Sequence, residues 1–287
     1  MEIQNKDIHG MSKKLTILVA SHKPDKVYRD EVYTPIHVGR AISRFKTEMD
    51  DLIGDDTGDN ISAKNKTYCE LTATYWAWKN LKDVEYVGLA HYRRYFETQF
   101  TEENIDEVFR TCDVVLAEPY LHDRYNEFKM ARTLDMEDEA IFLLTLKRLY
   151  PDYEQATIDY LFGFKDMPYN MFVMRHEMFE RYCEFTFGIL QECERLMRPL
   201  PYTCSMRRLG YIAEYLLPIF CLHNRLRIRT EAVVPFIGEH THGRYNWKQH
   251  LKIQLLKRIY DKHKPQIIEG MIDQAVLVGL KADGISI

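Results

Sequence analysis

The chain has 287 residues, 46% of them hydrophobic and 29% charged, with a formal net charge of −4. That is the balance of an ordinary globular protein, long enough for one large domain or two small ones. An acidic balance of this kind argues against nucleic acid as the main partner.

The six cysteines form no CxxC pair, and the polar start MEIQNKDIHGMSKK has no secretory pattern, so a reduced, cytoplasmic setting is expected. No uncharged apolar run reaches the ~20 residues needed to span a bilayer. After this leader, LTILVAS (15–21) reads as a buried strand, closed by His22-Lys23-Pro24. A loop-rich stretch follows, and IGDDTGDNISAKN (53–65) has the Gly, Asp and Asn content of a long loop. TYCELTATYWAWKNL (67–81) has helical spacing.

EYVGLAH (85–91) is the next strand, and DVVLAEP (113–119) another, with a short acidic helix between them. Residues 137–162 are helical with a break at Pro151. YNMFVM (169–174) reads as a short strand leading into a helix over 176–197, and a second helix covers 207–223. RLRIRTEAVVPF (225–236) reads as a late strand, and 247–280 as helical. Strands alternating with helices imply an α/β fold with a mostly parallel sheet flanked by helices. In such folds ligands bind beyond the carboxyl ends of the strands. Three polar clusters fall there: His22-Lys23, His91 to Arg94, and Asn170.

GLAHYRRYF (88–96) is the most unusual stretch, because it places two permanent positive charges where a buried strand surfaces. Most arginine pairs are surface residues salt-bridged to nearby acids and contribute little. Here the strand that delivers Arg93 and Arg94, with His91 and Tyr92 beside them, favours a phosphate grip through the guanidinium fork. The acidic residues at 55–59 could attract a hard cation. Their spacing fits no EF-hand, no Asp-x-Asp occurs anywhere in the chain, and a solvated turn is the plainer reading. In EHTHGRYNW (239–247), His240 and His242 lack the further ligands of a structural zinc site. A loop closing over bound phosphate, with Gly243 and Arg244 contributing, is the other reading. No GxSxG, P-loop or GxGxxG is present, which counts against hydrolase, kinase and dinucleotide functions. NWKQHLKIQLLKRIYDKHK (246–264) is a basic amphipathic stretch, suited either to packing on the domain or to an anionic membrane surface.

DDTGDNISAKNKTYCELTATYWAWKN followed by YVGLAHYRRYF resembles a bacterial family of capsular and exopolysaccharide glycosyltransferases, long known only as a domain of unknown function. YNMFVMRHEMFERYCEF and RRLGYIAEYLL are similar to its later blocks, and the likeness runs from residue 14 to 235. The resemblance implies a GT-A-like, Rossmann-like domain over 14–245, a helical extension over 246–287, and a nucleotide-sugar donor. Some members are thought to transfer galactofuranose, so a UDP-linked sugar such as UDP-galactofuranose is the expected donor. The acceptor is expected to be a saccharide or lipid-linked molecule of capsule, exopolysaccharide or lipopolysaccharide synthesis. Many GT-A enzymes hold a metal with Asp-x-Asp where this chain has HYRR, so Arg93 and Arg94, with His91, are expected to replace the metal.

The remaining expectations follow from that frame. The nucleotide is placed at His22, Lys23, Asn60, Ser62, Lys64 and Asn65, and the sugar or acceptor at Tyr92, Asn170, His240 and His242. Glu214 is the first choice for the carboxylate that deprotonates the acceptor hydroxyl, with Asp56 and Asp59 second. No cofactor is expected, with Mn²⁺ or Mg²⁺ as the alternative. The enzyme would work in the cytoplasm, at the inner face of the membrane if 247–264 is an anchor. The rival expectation is a non-catalytic nucleotide-sugar or glycan-binding protein of the same pathway.

Overall fold

The computed structural model describes residues 13–199, 206–242, 246–260, 262, 264–285 and 287. Gly243, Arg244 and Cys204 lie outside the described residues. Seven strands form the main sheet: β1 (Lys13–Ser21), β2 (Tyr33–His37), β3 (Ile53–Gly54), β4 (Val84–His91), then β6 (Val114–Ala117), β9 (Phe172–Arg175) and β10 (Ile228–Glu231). Their order is β10-β6-β9-β4-β1-β2-β3. All neighbours run parallel except β9, which is antiparallel to both β4 and β6. Two small ribbons complete the strands: β5 (Tyr95–Phe96) with β11 (Val233–Val234), and β7 (Tyr120–Leu121) with β8 (Lys165–Asp166). The expected α/β fold with a mostly parallel sheet is therefore present.

The helices are α1 (Asn65–Tyr68), α2 (Leu71–Asn80), α3 (Ile105–Thr111), α4 (Asn126–Met130), α5 (Met136–Leu149), α6 (Glu154–Leu161), α7 (His176–Leu196), α8 (Arg208–His223), α9 (Trp247–Tyr260) and α10 (Gln274–Ala282). Alternation along β1 sends Leu18 and Ala20 into the larger core with α2 and α5 to α8. Leu15, Ile17 and Val19 go to the other face, against Phe96, Phe100 and Phe109. Gly88 in β4 allows close packing, since a Cβ there would sit 3.0 Å from both Ile17 Cγ1 and the Phe172 carbonyl oxygen.

Four local differences from the sequence reading matter. β2 lies in a stretch read as loop; it carries Pro35, which cannot donate to a ladder, and it is short. The helix expected over 67–81 is two helices, broken at Cys69, whose φ is 51°. The strand expected over 169–174 begins only at Phe172, because Tyr169 (φ 79°) and Asn170 (φ 52°) are left-handed. The late strand over 225–236 divides into β10 and β11, and the 247–280 region is α9, a 3₁₀ turn at Ile268–Met271 and α10.

A buried ion pair ties α8 to α5. Arg208 Nη1 donates to Asp138 Oδ2 at 2.5 Å, with the side chains 9% and 6% exposed. Arg208 Nη2 also donates to the Arg198 carbonyl. Removing one partner strands the other charge without water, so Arg208→Leu should cost about 3–5 kcal/mol. Urea unfolding would measure this; a loss below about 1 kcal/mol would show that the pair does not anchor α8.

Candidate active site

A cavity of about 780 Å³ opens at the carboxyl ends of β1, β2 and β4. Residues that leave these strands line it: Ala20 and His22, Val38, and the run His91 to Arg94. The break between α1 and α2 supplies Asn65, Lys66, Cys69 and Glu70, the approach to β9 supplies Tyr169, and α8 with its lead-in supplies Met206, Arg207 and Glu214.

The exit of β4 is a tight, stitched turn. His91 N–H donates to the Arg94 carbonyl and Arg94 N–H to the His91 carbonyl, each at 3.0 Å, while Tyr92 N–H donates to the Ala20 carbonyl at 3.1 Å. The turn therefore holds its two arginines on a fixed base. They then part ways. Arg93 donates through Nε and Nη2 to Asp25 Oδ2 at 2.9 and 2.5 Å, an exposed pair of the ordinary kind. The Arg94 guanidinium lies over the Tyr169 ring at 4.4 Å and has no carboxylate partner among the described residues. Lys66, also on the rim, has no ion pair among them either.

The turn before β9 closes the opposite wall. Because β9 is antiparallel, its start stands beside the carboxyl ends of β4 and β6, which is why Tyr169 and Asn170 reach the site. The left-handed Tyr169 is held from two sides. His91 Nε2–H donates to its carbonyl at 2.8 Å, and its hydroxyl is 2.5 Å from that of Tyr120. Asn170 is 1% exposed and sits behind the wall; its Nδ2 donates to Glu70 Oε1 at 2.8 Å and to the Gly210 carbonyl at 3.3 Å. Burial pushes the His91 imidazole below its ordinary pKa against the pull of Glu70, which favours the neutral ring. His22, set edge-on to Tyr92 at 5.6 Å, is also pushed down, first by burial and then by Lys23 and Arg207.

Two carboxylates face this cationic rim. Glu70 is fixed by Asn170, and Glu214 Oε2 accepts from Lys129 Nζ at 3.1 Å. Lys129 also donates to the buried Asp166 at 2.9 Å, so the anchor extends to β8. Burial raises the Glu214 pKa; Lys129 opposes the shift and Glu70 adds to it. Arg207 Nε donates to Cys69 Sγ at 3.4 Å, and burial pushes that thiol up to about 11, so it stays protonated. Gly210 lets α8 approach this closely, since a Cβ there would lie 3.0 Å from Cys69 Sγ.

Of the residues expected from sequence to form a site, His22, Asn65, His91, Tyr92, Arg93, Arg94 and Glu214 line one cavity. Lys23 lies beside it, its carbonyl accepting from Ser21 Oγ at 2.9 Å. The acidic loop is engaged elsewhere. Asp56 pairs with Arg40 at 3.2 Å, and Asp59 accepts from Tyr75 OH at 3.3 Å. Asn60 accepts from Ser62 N–H, Ser62 donates to Asp55, and Lys64 pairs with Glu194 at 2.7 Å. His240 contacts Glu97 at 3.2 Å, and His242 is exposed; neither lines the cavity. Lys66, Cys69, Glu70, Tyr169 and Arg207 were not singled out in sequence, though Arg207 opens the block RRLGYIAEYLL.

The donors at the β4 exit are guanidinium groups, and Glu70 and Glu214 are already held by Asn170 and Lys129. Among the described residues no group of three or more His, Cys, Asp or Glu is placed to hold a metal ion. Guanidinium groups on the rim with a carboxylate behind them suit an anion beside a proton acceptor.

The family described as "Domain of unknown function (DUF4422)" matches residues 16–225. The apo structure of the WbbM bifunctional glycosyltransferase is similar to this chain, with a TM-score of 0.69 and 28% identity. The match covers 82% of this chain and 47% of that one, so this chain corresponds to about half of that protein's length. No curated protein matches.

The Glu214 carboxyl should titrate above the ordinary glutamate value, and Lys129→Met should raise it further by removing the opposing charge. Carboxyl-detected NMR would follow it; a midpoint at or below the ordinary value would contradict this description of the cavity.

Proposed function

This chain belongs to the DUF4422 family, and on that premise we propose that it is a glycosyltransferase that moves one sugar from a nucleotide donor to an acceptor hydroxyl. The single observation that carries the reading is Arg94: a guanidinium free of carboxylate partners among the described residues, at the mouth of a cavity whose other wall holds Glu70 and Glu214. The likeness in fold to a bifunctional glycosyltransferase supports the same class of chemistry.

In this reading the bond between the anomeric carbon and the diphosphate oxygen breaks as the acceptor oxygen bonds to that carbon. The diphosphate leaves carrying the electron pair, and Arg94, with Lys66 and Arg207, stabilises its charge, while neutral His91, whose N–H is taken by the Tyr169 carbonyl, holds the wall and does not join the clamp. Arg93 joins the clamp if the anion displaces Asp25. Glu214 takes the acceptor proton; its raised pKa makes it a stronger base, so the rate should climb with pH as this group ionises. We assign the nucleotide to the space around His22 and Asn65, and the sugar or acceptor to Tyr92 and the wall that Asn170 supports. A UDP-linked sugar, UDP-galactofuranose first, is the donor to try, with a saccharide or lipid-linked acceptor of surface-polysaccharide synthesis in the cytoplasm. The segment 14–245 would carry this reaction without a metal, and 246–287 would be an appended helical extension. A non-catalytic binding protein is the second reading, favoured by the hold of Lys129 on Glu214; transfer or donor hydrolysis across a UDP-sugar panel would reject it.

Arg94→Ala should lower kcat/KM roughly 100- to 1,000-fold, the scale of losing one preorganised donor, with circular dichroism unchanged. A near-normal rate would refute the clamp. Transfer should also persist in EDTA, and restoration only by Mn²⁺ or Mg²⁺ would refute the metal-free assignment.

A further inference from the structure

The helix Trp247–Tyr260 carries two apolar faces, and the body of the protein uses one of them. Ile253 is turned inward and is 5% exposed, closing an apolar cavity of about 210 Å³ against Pro218, Leu222 and Ile228. On the far side of the helix Trp247, Leu251 and Leu255 form a stripe at steps of four, and they are 62%, 56% and 56% exposed. Single exposed leucines are unremarkable in proteins, whereas three large apolar side chains on successive turns form a patch.

The charges around that patch indicate what covers it. Residues 247–260 contain four basic residues, Lys248, Lys252, Lys257 and Arg258, and no acid. Lys252 pairs with Asp123 at 3.2 Å and Lys257 lines the inward cavity beside Ile253, which leaves Lys248 and Arg258 near the stripe with no ion pair among the described residues. An apolar stripe with Trp at one end and basic side chains along it is the composition of a helix lying in a membrane interface. A bilayer with anionic headgroups complements both parts at once: acyl chains take the stripe and headgroup phosphates take the cations.

We propose that this outer face docks on an anionic lipid surface, with Trp247, Leu251 and Leu255 entering the boundary between headgroups and acyl chains. Among the described residues no helix is long and apolar enough to cross a membrane, so the contact is lateral. The helix is coupled to the cavity wall through the β7–β8 ribbon. Gln249 donates to the Leu121 carbonyl, and the neighbouring Tyr120 hydroxyl meets that of Tyr169 at 2.5 Å. Docking would therefore bring the cavity close to the bilayer surface, where a lipid-linked acceptor would present its sugar. That last consequence rests on the glycosyltransferase reading; the docking itself does not.

Vesicle flotation of the full chain tests the docking without any activity readout. Binding to phosphatidylglycerol mixed with phosphatidylcholine should exceed binding to phosphatidylcholine alone by about tenfold and should weaken with salt. The triple variant Trp247→Ala, Leu251→Ala, Leu255→Ala changes only exposed side chains and should lose that binding while remaining folded. Absence of flotation by the natural chain, or equal flotation by the variant, would overturn the proposal. A dimer in sedimentation that the triple variant abolishes would overturn it too, assigning the face to a second copy of the chain. A lack of transferase activity in a chain that still floats would count against the enzyme reading alone.

Discussion

The arrangement of the cavity depends on one buried amide. Asn170 Nδ2 donates to Glu70 at the α1–α2 break and to the Gly210 carbonyl of α8, joining three segments distant in sequence. A buried hydrogen bond to a charged acceptor contributes about 1.5–3 kcal/mol, comparable to the cost of holding one or two residues in left-handed backbone. Asn tolerates that conformation; Tyr169, beside it, does so less readily and is held by His91 and Tyr120. The platform under Arg94 thus exists because a side chain behind the wall fixes the backbone that carries it. Asn170 supports the site without lining it.

The charges follow a division between rim and floor. On the rim, Arg94 and Lys66 have no carboxylate partners among the described residues and meet the solvent, so their cost in the empty cavity is small. Deeper in, Glu214 is taken partly out of water; Lys129 behind it limits but does not cancel the penalty, and the neighbouring charges of Glu70 and Asp166 add to it. A carboxylate left somewhat too basic is a disadvantage for folding and an advantage for accepting a proton. Arg93 shows the alternative outcome: the neighbouring position in the same turn, neutralised by Asp25 at the surface. Two adjacent arginines in one motif therefore have different electrostatic environments, decided by which side of the turn each faces.

Much of the scaffold was legible from apolar runs. β1 and β4 are long and almost uncharged, and α7 and α8 carry clear helical periodicity, so their placement followed from the sequence. β2 was hidden by Pro35 and by its shortness. The direction of β9 was not readable either, because antiparallel insertion is set by pairing with β4 and β6 and leaves no local mark. Within the cavity, the HYRR exit and Glu214 stood out by chemistry or resemblance. Glu70 did not, since a glutamate in a helical pattern reads as solvated surface until Cys69 breaks the helix. The acidic loop drew attention by composition, yet Asp55 accepts from the Gly39 and Arg40 N–H groups and Asp56 pairs with Arg40 instead of facing the cavity.

The most direct test of the central claim is a crystal structure of the protein with UDP bound. The diphosphate should lie in the cavity within hydrogen-bond distance of the Arg94 guanidinium, with the uracil toward His22 and Asn65. A diphosphate bound outside the cavity, or inside it without contact to Arg94, would contradict the assignment of that arginine and the mechanism built on it.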